Sequence, residues 1–327
     1  MAGYNEIRGL KVKYLSADPS NAEDGQVWYN SASGNLRVEG IIGTGAWSSG
    51  GALPTANYTG AGFGISTAAV YAGGGSSKTT TFEYDGSSWT AGGALNTGRF
   101  ELGGTTAGTL TAGLCFGGNT GPSLSNATEE YDGSSWTNSN NMATTISFMG
   151  GSGVQTAAFS GGGRTPSNTN NSQEYDGTNW SNGNNINTTR QASAGLGTQT
   201  AGMIAGGESP GGGTNATETY NGNTWTNAPN LGTARYRLSG SGSDYTQSLV
   251  FGGRFNPPAA DKAQTEEFNG TSWTEKADLA TARQQLSGNR GSSTSAIAVG
   301  GLPPPASSTT ATEEWNVPVG IENITTS

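Results

Sequence analysis

The chain of 327 residues contains no histidine and a single cysteine. Without an imidazole, Ser-His-Asp and Cys-His nucleophilic catalysis, the commonest general base and the usual nitrogen ligands of zinc and copper sites all drop out. No cofactor is expected. Cys115 cannot form an internal disulfide, and its place in the apolar run Leu114-Cys115-Phe116 reads as a small buried hydrophobe. Basic residues are scarce: 15 Lys and Arg against 24 Asp and Glu leave a net charge of −9, with no basic cluster. That removes the electrostatic footprint of a nucleic-acid binder and makes an anionic lipid surface unattractive. Long apolar runs are missing too. The opening MAGYNEIRGLKVKYLSADPS has no signal-peptide core, and no stretch reaches the ~18 apolar residues of a membrane span. A soluble protein without that export route is expected. Gly161-Gly162-Gly163 and Pro210-Gly211-Gly212-Gly213 do not lead into a helix carrying Lys-Ser or Lys-Thr, so they are turn glycines and not phosphate loops.

What is present has a period. With 55 glycines and 32% apolar residues the composition resembles low-complexity chains, yet 8 Trp, 11 Tyr and 9 Phe recur at regular intervals. Apolar residues come in strand-length runs such as Ala68-Ala69-Val70-Tyr71 and Ala296-Ile297-Ala298-Val299, none approaching the ~10–12 residues of a buried helix. The pattern predicts an all-β fold with many tight turns.

A unit recurs six times. It begins with an apolar strand ending in Gly-Gly, at Gly73, Gly117, Gly161, Gly206, Gly252 and Gly300, spaced 44, 44, 45, 46 and 48 residues apart. This is the period of a four-stranded propeller blade. An aromatic follows, at Tyr84, Tyr131, Tyr175, Tyr220, Phe268 and Trp315, and Trp89, Trp136, Trp180, Trp225 and Trp273 stand five residues after the first five of them. Asp-Gly or Asn-Gly lies between each such pair, which predicts a tight hairpin placing aromatic and Trp on neighbouring antiparallel strands. Next comes an apolar residue with an arginine four positions on, at Leu95/Arg99, Ile186/Arg190, Leu231/Arg235 and Leu279/Arg283. The pattern weakens at Leu53/Asn57 and Met142/Ile146.

These marks together resemble the kelch repeat over about residues 40–316. The resemblance implies a six-bladed kelch-like β-propeller of four-stranded blades. Trp47 precedes the first Gly-Gly, while the last repeat ends at Trp315 without its own Trp. The two fragments complete one another, so the ring is predicted to close through N- and C-terminal strands. Nine of the 24 acidic residues sit at repeat-equivalent places: Glu83, Glu130, Glu174, Glu267 and Glu314 just before the aromatic, and Glu129, Glu218, Glu266 and Glu313 one earlier. A residue repeated in every blade serves what every blade needs, such as partners for the repeated arginines. A glycosidase instead needs two particular carboxylates at a set separation. The expectation is a protein that is not an enzyme, with a polysaccharide-degrading propeller as the least favoured alternative.

The segments between Gly-Gly and the next aromatic vary, and in a propeller they gather on one face. Arg164, Arg254, Phe255 and Lys262 are the unrepeated charged or aromatic residues there and are the candidate contacts. Residues 1–39 do not repeat, and residues 317–327 read as a tail. DGQVWYNSASGNLRV predicts a β-hairpin of Gln26–Asn30 and Asn35–Glu39 carrying Trp28 and Tyr29. It resembles a short module near the start of tail-fibre and other virion proteins of tailed bacteriophages. That resemblance implies a virion protein assembled in the host cytoplasm. Its hairpin, with Trp28 and Tyr29, would dock on other virion subunits or on copies of itself, and its propeller would offer a loop face to a host receptor or glycan. The competing expectation is a neck, capsid or fibre subunit touching only virion proteins.

Overall fold

The computed structural model describes residues 12–22 and 25–324, so the opening residues of the 1–39 segment and the last three of the tail lie outside it. The chain is all-β: among the described residues one 3-10 turn, Tyr245–Gln247, accompanies the strands. It divides into two units, Ala46–Asn316 and a smaller one made of the chain before and after it, Met1–Gly45 with Val317–Ser327.

The larger unit is a succession of antiparallel sheets, an arrangement consistent with a β-propeller. The first comprises Ala61–Ile65, Ala68–Ala72, Thr81–Tyr84 and Trp89–Ala91 in that order. Four more four-stranded sheets follow, spanning Gly103–Ser139, Gly150–Asn182, Ala194–Ala228 and Ser239–Lys276. The sixth has three strands, with Thr312–Asn316 between Ser295–Val299 and Ala46–Ser49. Its fourth strand shrinks to one bridge, Ser287 to Val299. Trp47 pairs with Trp315, so the strand near the start of the unit completes the sheet at its end, as the two sequence fragments predicted.

Each aromatic-to-Trp segment is the predicted hairpin. Tyr84 faces Trp89 across it with ring centroids 4.8 Å apart, and Tyr220 stacks on Trp225 at 4.6 Å. In the turn, the Asp85 carboxylate accepts the Ser87 and Ser88 amides at 2.8 and 2.7 Å, and Gly86 takes the left-handed φ of 92° that the turn needs. The Ser88 amide above all, then the Ser87 hydroxyl and amide, hold the Asp85 carboxyl at about 2.

Neighbouring sheets are bolted together by repeated polar contacts over aromatic packing. The Trp136 and Trp180 indoles donate to Thr81 and Thr128 of the preceding sheet at 2.9 Å, and Tyr131 and Tyr220 donate to Glu83 and Glu174. The same bolts join the first sheet to the sixth: Trp89 donates to Thr312 at 3.0 Å and Tyr84 to Glu314. On the inner side the glycines permit backbone-to-backbone approach. A Cβ on Gly195 would stand 2.3 Å from the Gly151 nitrogen, and one on Gly62 2.1 Å from the Gly288 oxygen.

The smaller unit is one sheet of Lys13–Leu15, Val27–Asn30, Asn35–Ile41 and Val319–Asn323. The hairpin forms around Ser31–Gly34 as predicted, with the Asn30 side chain accepting the Ala32 and Ser33 amides. The expected tail does not hang free: Val319–Asn323 pairs antiparallel with Asn35–Ile41, and Lys13–Leu15 adds in parallel on the other side. An isolated two-stranded hairpin is marginal in water, and two further strands supply the missing backbone partners.

Candidate binding site on a ring of left-handed residues

The repeated arginines are buried tie-points. Arg99, Arg190, Arg235 and Arg283 pair with Glu129, Glu218, Glu266 and Glu313 at 2.8, 2.9, 2.6 and 2.5 Å, with almost no exposure on either side. Arg99 also donates to the Gly117 and Ala127 carbonyls at 2.8 and 2.6 Å, and Glu129 accepts the Asn96 amide at 2.6 Å. Each arginine thus fixes its own backbone to the next sheet. Where the arginine is replaced, its partner is replaced as well: Ile146 goes with Gln173, and Asn57 with Phe82.

Two residues beyond each tie-point the chain turns through a left-handed conformation on a residue that is not glycine. Thr59, Glu101, Phe148, Ala192, Arg237 and Gln285 all have φ between 53° and 57°. Such residues are sterically disfavoured there and persist only where surrounding structure holds them. What holds them is a cycle of backbone hydrogen bonds. The Thr59 amide donates to the Gln285 carbonyl at 2.9 Å, Glu101 to Thr59 at 3.0, and Phe148 to Glu101 at 3.0 Å. Ala192 then donates to Phe148 at 2.7 Å, Arg237 to Ala192 at 2.7 and Gln285 to Arg237 at 2.8, which returns to the start. The backbone is repeated six times while the side chains differ six ways.

A cleft of about 110 Å³ lies within this cycle, lined by all six residues and by Ser193, Ser239 and Ser287 among others. Its charged lining residues are Glu101 and Arg237. Phe148 organises the rim, with the Arg237 and Arg164 guanidinium carbons 5.8 and 5.9 Å from its ring centroid. Arg164 reaches Glu101 Oε2 at 3.7 Å, an ion-pair distance too long for a hydrogen bond. Burial pushes the Glu101 carboxyl above its ordinary range, opposed by Ser147, Arg164, Asn119 and Arg237. Cys115 is fully buried away from any such chemistry, and burial raises its thiol pKa far above the ordinary value.

Of the residues singled out from sequence, Arg164 stands on this rim. Its backbone bridges Ser147, next to Phe148, and Arg254 occupies the same repeat position against Tyr236, next to Arg237. Arg254 is turned to Asp261 at 2.9 Å on a small ribbon, Arg254–Phe255 with Ala260–Asp261. Phe255 and Lys262 pair there, ammonium over ring at 5.4 Å. The structure therefore brings Arg254, Phe255 and Lys262 together and puts Arg164 with the cleft. Trp28 is a correction. Its indole is fully buried and donates to Asp18 at 2.9 Å, while Asp18 also accepts Asn30 at 2.7 Å and pairs with Arg37 at 2.8 Å. It holds its own sheet together and presents no surface for docking. Tyr29 is half-buried, 4.9 Å from the ring of exposed Tyr14. Glu101, Phe148, Arg237 and Gln285 were missed, although one sequence signal marks them: the position two after each tie-point is the one that never repeats.

The geometry defines an all-β protein of successive antiparallel sheets, most of them four-stranded, with a cleft of mixed polar and apolar lining where the sheets converge. No protein-family model matches the chain, and no curated protein matches it. Among solved structures 214 chains are similar. One, described as "Structure of YjhT", has a TM-score of 0.67 and 14% identity, covering 84% of this chain and 100% of that one. The likeness is one of fold.

Proposed function

We propose that the larger unit is a closed six-bladed, kelch-like β-propeller belonging to a virion protein of a tailed bacteriophage, of tail-fibre or surface-decoration type. It presents the cleft and the loops around it to a host-surface component, a glycan in the first instance. The observation that carries the reading is the hydrogen-bonded cycle with six different side chains on one repeated backbone. Folding alone asks the same of every blade, so the differences answer to something outside the fold. The cycle and the Tyr84–Glu314 and Trp89–Thr312 contacts also support closure of the ring.

The distribution of exposed apolar side chains supports a division of labour. Tyr14, Ile41, Ile42, Val319, Ile321 and Ile324 are exposed in the smaller unit, whereas Ile65 is the one large exposed hydrophobic in the larger unit among the described residues. Exposed apolar side chains of this kind suit docking on virion subunits or on copies of the same chain. The propeller wall offers no such patch, which favours the host-binding reading over a subunit that contacts only virion proteins. A hydrolytic propeller is least favoured, because Glu101 is the one carboxylate lining the cleft.

Binding of the full chain to intact host cells and to a glycan array tests the proposal. Saturable binding that Phe148→Ala abolishes supports it. A chain that joins virion particles yet binds neither cells nor glycans refutes host recognition and leaves the structural role.

A further inference from the structure

We infer that the cleft takes a small ligand bearing one carboxylate beside hydroxyl groups, the chemistry of a hexuronate residue at the end of an acidic polysaccharide. The inference rests on reading this cleft as the binding site. Its first support is charge. In a chain of net charge −9, Arg237 lines the cleft with no carboxylate within 4 Å among the described residues. Its one hydrogen bond there is from Nη1 to the Gln284 amide oxygen at 3.1 Å. The remaining N–H groups form a planar fork matched to a carboxylate. Arg164, which also approaches the Phe148 ring, brings the local balance of these three ionic groups to one positive charge over Glu101.

The second support is a carboxylate acceptor. Glu101, its side chain 11% exposed, lines the same cleft beside Arg164 at 3.7 Å and is a group that accepts from hydroxyls. Anion site and acceptor share one cleft with Gln285, Thr59 and Ser193, neutral groups suited to further hydroxyls. The third is size. About 110 Å³ is well below the roughly 300–1,000 Å³ of drug-sized pockets, which suits a single terminal residue. A neutral sugar leaves Arg237 unmatched, and a simple hydroxy acid leaves most of the polar rim unused.

Isothermal titration of the full chain with D-glucuronate, D-galacturonate and D-mannuronate, beside D-galactose and lactate, tests this. At least one hexuronate should bind at least about tenfold more tightly than galactose and lactate. Arg237→Gln should remove the preference, Arg237→Lys should retain part of it, and Glu101→Gln should weaken hexuronate binding severalfold. Equal affinity for hexuronates and galactose, or a preference that survives Arg237→Gln, overturns the assignment while leaving host binding at the mouth intact. Failure of every hexuronate to bind overturns it too. Loss of cell and glycan-array binding altogether is the separate failure of the underlying reading.

Discussion

Replacing Glu129 by Gln keeps the shape of the tie-point and removes its charge, leaving the Arg99 guanidinium inside the protein with three carbonyl partners and no counter-ion. Both side chains are fully buried in the native chain, so solvent cannot compensate. Breaking a buried pair from one side costs about 3–5 kcal/mol, and that is the loss expected for Glu129→Gln. The chain contains its own control: in the third sheet Ile146 and Gln173 fill these positions, and the Gln173 oxygen still accepts the Ala143 amide at 2.9 Å. Combining Arg99→Ile with Glu129→Gln copies that arrangement and should return to within about 1–2 kcal/mol of the native chain, because an apolar replacement removes the stranded charge. Denaturant unfolding followed by Trp fluorescence reads the series. A loss below about 1 kcal/mol for Glu129→Gln, or a double variant no more stable than the single, would refute the view that the arginines are held by their glutamates.

Three further outcomes follow from the contacts between sheets. Trp47→Ala removes the ring that packs on Phe251 and Trp315 at 4.9 and 5.6 Å and donates to Thr265; it should cost about 3 kcal/mol and expose the sixth sheet to limited proteolysis. Ser172 stands where the other sheets carry the threonine that accepts an indole or awaits one, and both its hydroxyl and Trp225 Nε1 are buried without partners. Ser172→Thr should therefore raise stability by about 0.5–1.5 kcal/mol in the same unfolding assay, by restricting the hydroxyl toward that N–H. Burial, reinforced by the bonds to Glu314 and Glu130, pushes Tyr84 and Tyr175 up to about 12 from 10.0. With the folded pKa above the unfolded one, their contribution to stability is whole below about pH 10 and is lost as the pH rises through 12. The difference in phenolate absorbance between the native chain and its Tyr84→Phe and Tyr175→Phe variants should appear only as the protein unfolds, and a difference already present near pH 10 in the folded chain would contradict the buried Tyr–Glu bolts.

The repeated sheets were legible because their marks are local and recur along the chain. Asp85-Gly86 dictates a turn, the turn sets Tyr84 against Trp89, and five more copies of the period leave little freedom. The partnership of the two fragments at Trp47 and Trp315 could be read for the same reason. The cleft could not. Its residues are defined by lacking a pattern, and they meet because the tie-points, Arg99, Arg190, Arg235 and Arg283 among them, fix the backbone that delivers them. Trp28 misled because its burial depends on Asp18, a loop residue ten positions upstream that nothing in the hairpin announces. The strand Val319–Asn323 escaped notice because its partner lies at the other end of the chain.

Host-cell binding compared between two sets of full-length variants tests the central claim most directly. One set changes the mouth, Phe148→Ala and Arg237→Gln; the other changes the ribbon, Arg254→Ala, Phe255→Ala and Lys262→Ala. A binding site at the cycle of left-handed residues predicts that the mouth variants lose binding at least about tenfold while the ribbon variants keep it. Binding that survives both mouth substitutions and falls with the ribbon ones would contradict the account.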